Sequence, residues 1–164
     1  MTSHAVRANC LDASSLVKVY IEEDGSDIIR KYMNDEPTCY TTPFCYYETL
    51  TQLKVNWLYR KNINKNEYLK KTLELTAWFS SISRRVRDID IQDREIFKFV
   101  QDIAERNNID LSDAFQIISV KNGYYSNMSN DSKTILVTAD KDLANAARAE
   151  GLKSWNFMQD EIPS

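Results

Sequence analysis

The chain has 164 residues, 43% of them hydrophobic and 27% charged, with a formal net charge of -3 at neutral pH. That length suits one domain with a substantial core, and the composition is that of a globular protein. The acidic balance gives no general attraction to nucleic acid, so a polyanion must be held by a local basic patch or through a metal.

An apolar run over 6–11 ends at a single carboxylate, Asp12, and helix-forming residues follow at once. The pattern predicts strand, N-cap, helix. A second helix is expected over 25–34, with Ile28, Ile29, Tyr32 and Met33 as its apolar stripe. Residues 38–42 form a short β-rich run, and Pro43 then suits the first position of a helix reaching about Arg60. Tyr47, Leu50, Trp57 and Leu58 are its expected buried side. A long helix over 64–82 turns Tyr68, Leu75, Phe79 and Ile82 inward, and the short Lys61-Asn62-Ile63 link makes the two an antiparallel pair. Residues 86–91 alternate as a strand does. Residues 93–106 are the clearest amphipathic helix, with Ile96, Phe99, Val100, Ile103 and Ala104 on one face. Asp110-Leu111-Ser112-Asp113 opens another helix, and 122–132 is polar and loop-like. A strand over 134–138, a helix over 141–150 stopped by Gly151, and a short strand over 153–156 complete the chain. Alternating strands and helices imply an α/β domain with a parallel sheet between helices.

Acids recur at the strand-to-helix junctions. Asp12 and Asp140 each end an apolar run before a helix, and Asp113 and Glu48 lie near the starts of two more. Singly, each has an ordinary reading as an N-cap, a first-turn acid or a solvated helix residue. Ligands in open α/β sheets sit outside the carboxyl ends of the strands, so acids gathered there suggest a cation site. Oxygen donors suit Mg²⁺ or Mn²⁺. His4 is the only histidine, which argues against a zinc hydrolase or a His-based triad. Cys10, Cys39 and Cys45 form no CxxC or Cys/His cluster and read as buried reduced thiols. No apolar run approaches a membrane span and no signal segment is apparent, so a cytoplasmic protein without membrane contact is expected.

With those residues placed, the chain resembles the PIN-domain ribonucleases, and most of all the toxin half of VapC-type toxin–antitoxin pairs. Leu11-Asp12-Ala13-Ser14-Ser15-Leu16-Val17-Lys18 resembles the first acidic motif, Glu48 the second acid, and Leu111-Ser112-Asp113-Ala114 the third motif. Val137-Thr138-Ala139-Asp140-Lys141-Asp142-Leu143 resembles the fourth, and Trp155-Asn156 the closing strand, so that the likeness spans about 6–156. The resemblance implies one domain over 1–164 with a tail after 156, an approximately five-stranded parallel sheet, and a protruding helix pair. It also implies Mg²⁺- or Mn²⁺-dependent cleavage of single-stranded RNA. By position, Asp12, Glu48, Asp113 and Asp140 become the metal-binding, catalytic acids, with Ser14 and Thr138 in support. Asp142 is an extra acid in the fourth motif, and the 122–132 loop with Tyr124 and Tyr125 is longer than the family pattern.

For RNA contact the candidates are Lys18, Lys54, Arg60, Arg84, Arg85 and Arg87, with Tyr46 and Tyr47 as stacking groups. The resemblance implies an antitoxin protein as partner, and the aromatic-rich helix pair over 43–82 is the expected contact for it or for a homodimer. Two other readings stand beside the nuclease. One is a catalytically silent PIN-like module that binds RNA or protein. The other is a receiver-type signalling domain, which shares the architecture and a strand-end acid but would want a second acid beside Asp12 and a phosphoacceptor Asp at the end of the middle strand.

Overall fold

The computed structural model describes residues 8–36, 38–82, 92–122 and 134–162. Its elements run β1 (Asn9–Leu11), α1 (Ala13–Tyr20), α2 (Ser26–Asp35), β2 (Cys39–Tyr40), α3 (Pro43–Leu58) and α4 (Lys65–Ile82). Then follow α5 (Arg94–Asn107), α6 (Leu111–Asn122), β3 (Ile135–Thr138), α7 (Lys141–Ala149) and β4 (Lys153–Asn156). The described strands form a four-stranded, all-parallel sheet in the order β2-β1-β3-β4. The fifth strand expected over 86–91 and the loop expected over 122–132 fall almost wholly outside the described residues.

Strand order decides where a ligand can sit. From β1 the chain steps to β2 on one side, then crosses back to place β3 on the other side of β1. The switch point therefore lies between β1 and β3, where the carboxyl ends of neighbouring strands leave a crevice. Leu11 pairs with Val137, and the Asp12 N–H donates to the Val137 carbonyl at 3.2 Å. Asp12 and the Thr138–Asp140 turn are thus brought side by side from opposite ends of the sequence.

Side chains alternate across the pleat, so each strand feeds both faces. Cys10 and Leu136 point into a core built with Val100, Ile103, Phe115, Ile118, Leu143 and Ala147 of α5, α6 and α7. Leu11, Ile135 and Val137 point the other way, against Leu16, Ile29, Tyr32 and Trp155. Buried Asn9 fastens the β2 side of the sheet. Its amide donates to the Thr38 carbonyl at 3.1 Å, and its carbonyl accepts from the Tyr32 hydroxyl at 2.5 Å.

α3 and α4 pack outside this sandwich, with Leu53 and Leu75 buried against Val17 and Tyr20 of α1. Tyr46 stacks on Phe79 and Trp57 stacks on Tyr68, a register that makes the pair antiparallel. The buried positions of α3 are Cys45, Thr49, Leu53 and Asn56. Tyr47, expected to be buried, is 65% exposed, and Leu50, Trp57 and Leu58 are half-buried. Polar residues take the inner positions because each finds a partner there. Thr49 donates to the Cys45 carbonyl at 2.6 Å, and Asn56 donates to the Gln52 carbonyl at 2.9 Å while accepting from Asn62 at 2.8 Å. Two further expected stripes narrow in the same way. Ile28 and Phe99 are exposed, whereas Ile29, Tyr32, Val100 and Ile103 are buried. None of the described helices is long and apolar enough to cross a membrane.

Glu150, at the C-cap of α7, ties three helices together. It accepts from Arg106 Nε and Nη2 at 2.6 and 2.8 Å and from Asn107 Nδ2 at 2.8 Å, with Lys121 Nζ at 3.5 Å. Its side chain is only 6% exposed. The Arg106 hydrogen bonds above all hold its carboxyl down, from the usual 4.5 to about 2. A carboxylate with a lowered folded-state pKa stabilises the fold above its ordinary pKa, and the contribution is lost as pH falls toward the lowered value. Glu150→Gln should therefore cost about 2 kcal/mol at pH 7 in denaturant unfolding, in line with hydrogen bonds to charged groups. Its deficit relative to wild type should shrink as pH falls from about 4.5 toward 2. An equal deficit at both ends of that range would refute this role.

Candidate metal centre at the β1–β3 switch point

Asp12 is both the N-cap of α1 and the centre of the candidate site. Its Oδ1 accepts from the Ser15 N–H at 2.9 Å and from the Ser15 and Ser14 hydroxyls, each at 2.8 Å. Its Oδ2 accepts from the Thr138 hydroxyl at 2.6 Å and from Ser14 at 2.8 Å. The surrounding hydroxyls are themselves aimed. Ser14 Oγ accepts from the Ala139 N–H and Thr138 Oγ1 from the Asp140 N–H, both at 2.9 Å. Each hydroxyl has one proton, so these acceptor roles leave both protons to point at Asp12. Burial nevertheless raises the Asp12 carboxyl above its ordinary range, and the bonds from Thr138, Ser15 and Ser14 oppose that rise.

Asp140 caps α7, its Oδ1 accepting from the N–H groups of Asp142 and Leu143 at 2.8 and 3.2 Å. Asp113 lies half-buried in the first turn of α6, and Glu48 lies one turn into α3 on its exposed side. Gln116 holds the floor below them. Its Oε1 accepts from Thr42 at 2.7 Å and from the Cys45 thiol at 3.1 Å, and its Nε2 donates to Cys10 Sγ at 2.9 Å. This joins α6, α3 and β1 directly beneath the acids. Asp142 is exposed beside Asp140.

The acids act on one another. Burial, then Asp140, Asp12, Glu48 and Asp110, push the Asp113 carboxyl from 3.8 up to about 7. Glu48 is raised by burial, then by Asp12 and Asp110. None of these acids takes part in an ion pair among the described residues. The electrostatics therefore group Asp12, Glu48, Asp113 and Asp140 with uncompensated negative charge. At the same time, no three acids, thiols or imidazoles among the described residues stand close enough together to form a metal-ligand cluster.

The donor chemistry fits a hard divalent cation. Carboxylates and hydroxyls offer oxygen only. Burial first, then Asp12, pushes the Cys45 thiol up to about 12, and burial raises Cys10 as well, so both stay protonated and poor ligands. Mg²⁺ keeps several waters and takes one or two carboxylates, so it does not require a tight cage.

Three contributors escape a reading from sequence. Ser15 is the third residue after its cap, where an N-cap bond is expected, and its hydroxyl adds a second bond to Asp12. Asp110 acts on both Glu48 and Asp113, and its i,i+3 spacing from Asp113 is the signal that marks it. Gln116 carries no signal at all. The basic candidates are scattered. Lys18 is paired with Glu23 at 3.1 Å, Lys54 and Arg60 are exposed, and Arg84, Arg85 and Arg87 lie outside the described residues. Tyr46 is occupied by its stack on Phe79, whereas Tyr47 faces solvent.

A carboxyl whose folded-state pKa is raised destabilises the fold above that pKa, and the cost fades as pH falls through it toward the ordinary value. Asp113→Asn should therefore stabilise the metal-free protein at pH 8 by about 1 kcal/mol, allowing for solvent screening. The gain should fade between about 7 and 3.8. Urea unfolding at pH 8 and pH 4 checks this, and a destabilised variant at pH 8 would refute the repulsion.

The sequence matches the family model described as PIN domain over residues 31–158, a span that contains Glu48, Asp113 and Asp140 and begins after Asp12. No curated protein is significantly similar in sequence. In three dimensions the chain is similar to the crystal structure of PAE2754 from Pyrobaculum aerophilum. The TM-score is 0.57 and the identity 13%, over 94% of this chain and 89% of that chain, so the likeness is one of fold. The family match covers most of the chain, which therefore belongs to the PIN domain family and carries its nuclease-type fold.

Proposed function

We propose that the protein is a metal-dependent endoribonuclease that hydrolyses phosphodiester bonds of single-stranded RNA. Asp12, Glu48, Asp113 and Asp140 hold Mg²⁺ or Mn²⁺ in this reading. The observation that carries it is the group of mutually repelling acids, free of ion pairs among the described residues, at the β1–β3 switch point. When bound, the cation supplies an activated water and neutralises phosphate charge. The chain's own part is orientation. Ser14 and Thr138 fix the Asp12 carboxylate, and the first N–H groups of α7 fix Asp140 through one oxygen. Glu48 and Asp113 bring charge from two further helices, and exposed Asp142 supplies additional negative potential.

The reading extends to a toxin of the VapC type, neutralised in the cytoplasm by an antitoxin protein. Tyr59 and Leu73, exposed on the α3–α4 pair together with Tyr47, support a protein contact there, with an antitoxin or a second copy. Exposed Lys54 offers a charge for RNA on the same pair. Membership of the PIN family leaves the phosphoacceptor reading without a feature that requires it.

Wild-type protein should cut a mixed single-stranded RNA in Mg²⁺ or Mn²⁺ and stop when the metal is chelated. Asp12→Asn retains size and capping but lacks the charge, and both it and Glu48→Gln should lose roughly a hundredfold or more in rate while staying folded. The metals should also raise the melting temperature of wild type more than that of Asp12→Asn. RNA that is bound but never cut, with no metal-dependent shift in melting, would replace the enzyme with a silent binding module.

A further inference from the structure

Beside the acids lies a groove that the proposed chemistry leaves unused. α3, α5 and α6 enclose about 500 Å³ between Phe44, Phe97, Leu111 and Phe115, with Gln101 and Ser112 also lining it and no charged residue among its walls. That size is typical of small-molecule sites. Phe44, Phe97 and Leu111 remain 42%, 50% and 58% exposed. Phe44 is braced edge-on by Phe115, with ring centroids 4.6 Å apart at 66°, so it is a fixed aromatic surface.

The groove is continuous with the acidic site through the chain itself. Ser112 immediately precedes Asp113. Phe44 sits one turn before Glu48 on α3, an i,i+4 spacing that sets Cβ atoms about 5–6 Å apart. Two chemically opposite surfaces thus share an edge, one uncharged and aromatic, the other acidic and in need of a cation.

We propose that this groove takes one unpaired base of the single-stranded substrate while the adjoining phosphate is presented to the acids. The inference rests on the nuclease reading and adds a specificity subsite to it. A nucleotide divides in the same way as the surface, into a neutral planar base and an anionic phosphate. Single-stranded RNA splays its bases onto aromatic side chains and exposes their hydrogen-bonding edges. The amide of Gln101 and the hydroxyl of Ser112 both donate and accept, as reading a base edge requires.

The test is photocrosslinking of the full chain to short single-stranded RNAs, each carrying one 4-thiouridine at a different position, with adducts mapped by mass spectrometry. One position should crosslink to the groove at Phe44, Phe97 or Leu111. Phe97→Ala alters an exposed side chain and should reduce that adduct about tenfold, the scale of one lost base–aromatic stack. It should also erase the base preference at a single position relative to the cut, and Phe97→Tyr should restore both. Adducts that bypass the groove while RNA is bound would overturn the proposal, as would a Phe97→Ala protein with unchanged adducts and preference. A co-purifying protein lost from Phe97→Ala with RNA behaviour intact would assign the groove to that partner instead. RNA neither bound nor cut by wild type would sink the nuclease reading itself.

Discussion

A buried carboxylate at the end of the first strand is the constraint on which the rest depends. Asp12 is almost inaccessible, and an unpaired buried charge costs several kcal/mol. It is tolerated because hydroxyls from the start of α1 and from the end of β3 converge on it. Ser14 and Ser15 come from its own helix start, and Thr138 comes from the end of β3. That convergence requires β1 and β3 to be neighbours in the observed register, so the polar cluster also specifies strand order. Ser15 spans the junction directly: its N–H donates to Asp12, and its hydroxyl, with one proton to share, lies 2.8 Å from Asp12 Oδ1 and 2.7 Å from the Val137 carbonyl. Loss of one hydroxyl would disturb both the capping of α1 and the seam of the sheet.

Around this point the protein accepts local instability in return for charge. Asp113 and Glu48 are held where their neighbours raise their pKa values, an arrangement that opposes folding in the absence of a cation. Opposing contributions come from elsewhere in the fold. Glu150 locks α5, α6 and α7 together, and Asn108 in a left-handed conformation closes α5. Asn64 and Glu67 cap the start of α4 reciprocally. Beneath the acids, Gln116 satisfies its own polar atoms with Thr42 and two protonated cysteines, so it joins three elements without adding charge. The site is therefore polar where a ligand would arrive and neutral just below.

Much of the fold was legible because strand-to-helix junctions carry local chemistry. Asp12, Thr42 with Pro43, Asp93 and Asp140 all cap the helices their positions suggest, since an N-cap depends only on a few neighbouring residues. The parallel sheet followed from alternation of element types. Burial was harder to read wherever a helix meets more than one neighbour. On α3 the inner face holds Thr49 and Asn56, whose side chains bond locally, so counting apolar residues pointed to Tyr47 instead. The four acids were singled out by position at helix starts. Ser15 and Asp110 lie only three residues from Asp12 and Asp113, whereas Gln116 reaches Cys10 across 106 residues, a contact that no local pattern encodes.

The central claim is that these acids form one electrostatic unit awaiting a cation, and it is tested most directly by the Asp113 side chain. Its carboxyl carbon can be followed by NMR through a pH titration, first without metal and then in Mg²⁺. In metal-free protein the midpoint should lie near 7. That midpoint should fall in Asp12→Asn, which removes one repelling charge, and fall further in wild type when Mg²⁺ is added. A midpoint at the ordinary carboxylate value, unmoved by either change, would contradict a shared site.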